Sequence, residues 1–142
     1  MEKISEIWVI NENGITLFNK SLDVTVDPAL FGGFLGAIRQ FVELSFKGSK
    51  LDKLHLGETK ISFLHEPDHH IFIVIRSHKK VNDKEIAKYL EKVCDLFVTN
   101  FADKLKGSMV DVSGFRSFGK ILEDAIEKEK LVNRMTNWFE EV

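Results

Sequence analysis

Residues 7–18 read Ile7-Trp8-Val9-Ile10-Asn11-Glu12-Asn13-Gly14-Ile15-Thr16-Leu17-Phe18. Ile7–Ile10 is a dense apolar run, and Ile15, Leu17 and Phe18 answer it across a polar break. Asn13-Gly14 in that break predicts a tight hairpin, because a type I′ turn needs positive φ at both central residues and Asn and Gly adopt it most readily. The chain therefore opens with two antiparallel strands, and the periodicities that follow decide how the sheet is completed.

Outward from the hairpin the period changes. Asp27-Pro28 predicts a helix start: Asp caps free amides, and Pro at the first helical position has no amide to leave unpaired. Leu30, Phe31, Phe34, Leu35, Ile38, Phe41 and Val42 then recur at three and four residues as a broad apolar stripe. Gly32, Gly33 and Gly36 lie within it. Each costs about 0.8–1 kcal/mol relative to Ala in a helix, so the set points to close backbone approach, by tight helix packing or by a partner. After the break at Lys47-Gly48-Ser49, Leu51, Leu54 and Leu56 read as a strand ending at Gly57-Glu58. Ile61, Phe63 and His65 mark the next, and Pro67-Asp68 turns again. Ile71–Ile75 is apolar on both faces and reads as a central strand covered on both sides. Asn82 with Glu85 forms a capping box. Ile86, Leu90, Val93, Phe97, Phe101 and Leu105 carry the second helix to Gly107. Ser113 is read as the cap of a third, with Phe115, Phe118, Ile121, Leu122, Ala125 and Ile126 on its apolar face. The order is two strands, a helix, three strands and two helices. Residues 1–126 form the domain, and 127–142 extend the last helix beyond it.

The totals bound the class. At 142 residues the chain fits one domain, and a domain of this size buries about 68% of the surface its unfolded form exposes. Composition is that of a soluble globular protein, 44% hydrophobic and 30% charged, with twelve Phe against one Tyr. A formal net charge of −2 argues against nucleic-acid binding, which needs a basic surface to displace counterions. One Cys forms no intrachain disulfide and fits a reducing compartment. The longest apolar run, Ile71–Ile75, falls far short of the roughly 20 residues of a membrane span. Met1-Glu2-Lys3 leads straight into the strand pattern, with no signal peptide and no myristoylation motif. The chain reads as cytoplasmic.

Little in the sequence declares a chemistry. His65-Glu66-Pro67-Asp68-His69-His70 offers zinc-type donors, but it lies where a hairpin turns and its spacing matches no metal motif. No metal and no cofactor is assigned. The glycines near Gly32 lie inside a helix rather than in a loop that opens one, as a phosphate cradle requires. Cys94 has no activating partner in the sequence and reads as a packing residue. With no nucleophile signature and no paired carboxylates, an enzyme has no positive support. At the other end of the chain, Leu131, Met135, Trp138 and Phe139 fall at i, i+4, i+7 and i+8, on one helical face. That face either folds back onto the domain or lies in another chain's groove. The two readings weigh equally.

The element order resembles the longin fold, the profilin-like module of trafficking proteins. Ile7–Ile10 with Asn13-Gly14-Ile15-Thr16-Leu17-Phe18 is similar to the longin opening hairpin, Phe34-Leu35-Gly36-Ala37-Ile38 to its first helix, and Leu56-Gly57-Glu58-Thr59-Lys60-Ile61-Ser62-Phe63 to the paired strands that follow. The likeness spans about Ile4 to Ile126 and is greatest to stand-alone archaeal longins. It implies an α+β fold, β-β-α-β-β-β-α-α, whose five-stranded antiparallel sheet carries one helix on one face and two on the other. It also implies a non-enzymatic interaction module, an adaptor or regulator that pairs with a longin or roadblock domain, with a second copy of itself as a homodimer, or with a small Ras-like GTPase in vesicle trafficking-like complexes. Peripheral membrane association is compatible with it. The partner-binding face maps onto Phe31, Gly32, Phe34, Leu35, Gly36 and Ile38, with Met135, Trp138 and Phe139 added by the long last helix. Roadblock-like modules share much of the sheet but usually begin with a helix. A profilin- or PAS-like ligand sensor would need a polar internal pocket, and a metal enzyme would need the His65–His70 cluster.

Overall fold

The structure, a computed structural model, describes residues 4–21, 53–106 and 112–140, with residues 131–140 described by their backbone. The strands are β1 (Ile4–Asn11), β2 (Thr16–Ser21), β3 (Lys53–Leu56), β4 (Thr59–Glu66) and β5 (Ile71–His78). Two helices follow, α1 (Asp83–Leu105) and α2 (Phe118–Glu140), with a 3-10 turn at Val112–Phe115 between them. The helix expected from Pro28, and Leu51 of the third strand, lie outside the described residues.

The strands form one antiparallel sheet in the order β2-β1-β5-β4-β3. The last strand is thus the middle one, which is why Ile71–Ile75 is apolar at every position: Ile71, Ile73 and Ile75 face one side, Phe72 and Val74 the other, all at most 1% exposed. On the first side Ile7, Val9, Ile71, Ile73 and Ile75 pack with α1 (Ile86, Leu90, Val93, Phe97, Phe101) and α2 (Phe118, Leu122). Both described helices therefore share that face. On the other side Trp8, Ile10, Ile61, Phe63, Phe72 and Val74 form a second buried cluster.

The richness in Phe has its use at the junction of the elements. Phe97 lies with ring centroids 5.0 Å from Phe101, 5.3 Å from Phe115 and 5.0 Å from Phe118, and Phe118 lies 5.0 Å from Phe18 edge-on. One aromatic group joins β2, α1, the 3-10 turn and α2. Phe gives this group large buried area without a polar atom to satisfy.

Three local expectations are corrected. The β1–β2 connection is not a type I′ turn: Gly14 has φ +87, but Asn13 is not in the positive-φ region. Asn11 Oδ1 instead accepts the amides of Asn13 (3.0 Å) and Ile15 (2.9 Å), and the Asn11 amide donates to the Ile15 carbonyl at 2.9 Å. A three-residue loop with glycine in the left-handed position results, the next most common hairpin solution. At the third helix, Ser113 and Phe115 belong to the 3-10 turn, and α2 begins at Phe118. Gly114, inside the proposed first turn, weakens a helix there. At α1, Asn82 caps as expected, accepting the Lys84 amide at 2.8 Å, but Glu85 accepts the Tyr89 hydroxyl at 3.2 Å.

Candidate interaction surface

The sequence assigned partner contact to two groups of residues. Phe31, Gly32, Phe34, Leu35, Gly36 and Ile38 lie outside the described residues. Met135, Trp138 and Phe139 lie on α2, which runs as one helix from Phe118 to Glu140. Twenty-three residues make about 34 Å of helix, longer than the roughly 26 Å of an eight-residue strand. Among the residues whose side chains are described, 118–130, several contacts fasten it to the domain. Phe118 and Leu122 are fully buried, Lys20 of β2 bonds Glu123 at 2.6 Å, and Lys92 of α1 reaches Glu129 at 3.4 Å. The Lys20 ammonium holds the Glu123 carboxyl below its ordinary value. The Leu131, Met135, Trp138 and Phe139 repeat is carried on the same helix beyond these anchors.

The two ends of the sheet differ in charge. At one end the β1–β2 and β4–β5 turns meet: the Glu12 amide donates to the His70 carbonyl at 3.0 Å. The Glu12 carboxylate lies between His65 Nε2 (2.8 Å) and His70 Nδ1 (2.9 Å). Burial pushes Glu12 toward the protonated form, but the contacts to His65 and His70 outweigh it and hold the carboxyl below its ordinary value. His65 stacks on Phe72 at 4.4 Å, and His69 Nδ1 lies 2.6 Å from Glu66. Among the described residues, no three His, Cys, Asp or Glu side chains converge as metal ligands. The cluster therefore ties two hairpin turns together in pairs.

At the opposite end the β3–β4 turn meets the turn before α1, through the Lys79 amide donating to the Glu58 carbonyl at 2.8 Å. Lys60 is buried, and its ammonium bonds the Val81 carbonyl and Asp83. Lys53 adds a second contact to Asp83 at 2.8 Å. Hydrogen bonds from Lys53 and Lys60 pull the Asp83 carboxyl down to about 2. An open recess of about 490 Å³ here is lined by His55, Lys60, Lys79, Val81, Asn82 and Lys84, among others. A narrower groove of about 310 Å³, lined in part by Leu64, Ile86, Ala87 and Leu90, runs between β4 and α1.

Sequence reasoning missed the polar groups held inside the sheet. Glu6 and Arg76 are buried on the face of Trp8 and Val74, 3.5 Å apart across β1 and β5. Asn19 Nδ2 donates to Glu6 Oε1 at 2.8 Å. The hint available was the period-two match of Glu6 with Trp8 and Ile10, which places it on a face otherwise apolar. Cys94 is buried as expected, and burial pushes its thiol up to about 11. A thiol so placed is protonated at neutral pH, unsuited to attack.

Compared with known proteins, the chain matches no protein-family model and no curated protein sequence. Among solved structures it is similar to a chain of the mammalian SRP receptor, with a TM-score of 0.58, 10% identity, and 93% of this chain and 99% of that one covered. A second similar structure is MglC from Myxococcus xanthus, with a TM-score of 0.40, 15% identity, and 76% and 88% covered. The five-stranded antiparallel sheet with two helices on one face is a longin-like fold.

Proposed function

We propose that the chain is a non-enzymatic longin-type interaction module, an adaptor or regulator associated with small Ras-like GTPases. The observation that carries the reading is the end-to-end match in fold to a chain of the SRP receptor, covering 99% of that chain. A module of this size and architecture thus serves as a constituent of a receptor. The longin-like residues in the sequence supply the partner class, since longin domains pair with longin or roadblock domains and with small GTPases. The contact surface is the Phe31–Ile38 face together with Met135, Trp138 and Phe139 at the end of α2. Aromatic and large apolar anchors of this kind dominate the energetics of protein interfaces.

The test is capture of small Ras-like GTPases from the same organism on immobilised full-length chain, each loaded with GDP or a non-hydrolysable GTP analogue. Enrichment in one nucleotide state is the expected result. No enrichment in either state removes the GTPase arm.

A further inference from the structure

Residues 53–60 and 78–88 carry six lysines against three carboxylates, in a chain whose formal net charge is −2. All lie at the end of the sheet where the β3–β4 turn meets the start of α1. The three carboxylates are engaged. Glu58 bonds Lys79 at 3.0 Å and lies 3.6 Å from His78, Asp83 holds Lys53 and Lys60, and Glu85 accepts Tyr89. Lys80, Lys84 and Lys88 are exposed, and none has an ion pair among the described residues. Lys84 and Lys88 are one helical turn apart, on the side of α1 away from the buried Ile86 and Leu90. Glu91, the next acidic residue on the helix, follows them.

We infer that this end of the molecule docks on an anionic membrane surface. A protein interface needs a desolvated aromatic, aliphatic or arginine anchor at its centre. Among the described residues the exposed large apolar side chain is Ile15, in the turn at the other end of the sheet. What remains among the described residues at this end is a set of exposed point charges on long stems. Clusters of lysines of this kind are drawn to the negative potential of anionic lipid within a screening length of the surface. Lys53 and Lys79, each about half exposed, add to the field while partly neutralised by their partners. Docked so, the molecule turns the acidic turns bearing Glu12, Glu66 and Asp68 away from the membrane, an orientation the same potential favours.

The test is co-sedimentation of the full chain with vesicles of phosphatidylcholine alone or mixed with phosphatidylserine. The wild type should partition onto the mixed vesicles only and be released at about 1 M salt, where the screening length is near 3 Å. At roughly fivefold per lysine, the triple variant Lys80→Ala/Lys84→Ala/Lys88→Ala should bind on the order of 100-fold more weakly. Its melting temperature should be unchanged, since all three side chains are exposed. The control Lys106→Ala/Lys120→Ala/Lys128→Ala removes equal charge elsewhere and should retain most of the binding. No preference for phosphatidylserine, equal loss in both triple variants, or capture of soluble polyglutamate in place of vesicles would each overturn the inference.

Discussion

Replacing Phe97 by Ala removes the ring on which three elements converge. Phe97 is 0% exposed and lies 5.0, 5.3 and 5.0 Å from the rings of Phe101, Phe115 and Phe118. Truncating a buried Phe to Ala costs about 3–5 kcal/mol through lost transfer energy and the cavity left behind. Aromatic pairs add roughly 0.5–1.5 kcal/mol each beyond their area, so the upper part of that range, about 4–5 kcal/mol, is expected. A 142-residue domain unfolds with an entropy of about 0.3 kcal/mol/K near its midpoint, so the melting temperature should fall by roughly 13–17 °C. Urea and thermal unfolding followed by circular dichroism measure both. Phe97→Leu, which keeps much of the volume, should lose less than half as much. A loss under about 1 kcal/mol for Phe97→Ala, the size of an ordinary substitution, would refute a shared aromatic core between α1 and α2.

Other consequences follow at separate sites. Cys94, buried and with its thiol pushed up to about 11, should resist thiol reagents at pH 8 and react fully in urea; native-state labelling at the free-thiol rate would contradict its burial. Asp83→Asn leaves the buried Lys60 ammonium with the Val81 carbonyl, and should cost about 1 kcal/mol once screening at the exposed carboxylate is allowed for. Because Asp83 titrates at about 2 when folded and near 3.8 otherwise, its contribution is present above pH 4 and lost as pH falls toward 2. Wild type and variant should then converge in stability at about pH 2, and parallel curves would show that the Lys53 and Lys60 contacts do not form. Trp138→Ala/Phe139→Ala should weaken partner capture by about 30-fold or more, the effect of losing a hot-spot contact of at least 2 kcal/mol, with unchanged melting temperature. Gly36→Leu should disrupt the close approach assigned to its helix face, and unaltered binding and stability would remove that role.

The element order, the opening hairpin and the central strand were legible because they rest on local signals. The doubly apolar Ile71–Ile75 declared a central strand, and Asn82 declared the start of α1. The Asn13-Gly14 pair placed the hairpin, but the Asn11 side chain, which satisfies two loop amides, changed the turn type. What escaped was non-local. Glu6 and Arg76 are seventy residues apart and meet because β1 pairs with β5. Glu12 finds His65 and His70 because two turns fall at the same end of the sheet. Lys60 drew no notice in the sequence, yet it is buried under the start of α1. Its partners, Val81 and Asp83, lie across another strand in sequence. Of the candidate site, the last-helix residues fell on a continuous α2, and the Phe31–Ile38 face lies outside the described residues.

Association with a small Ras-like GTPase is tested most directly by calorimetric titration of the full chain against such a GTPase in its two nucleotide states. A saturable, one-to-one isotherm in one state, at least tenfold weaker in the other, is the predicted result. Flat isotherms in both states, with protein shown to be folded in the same cell, would contradict it.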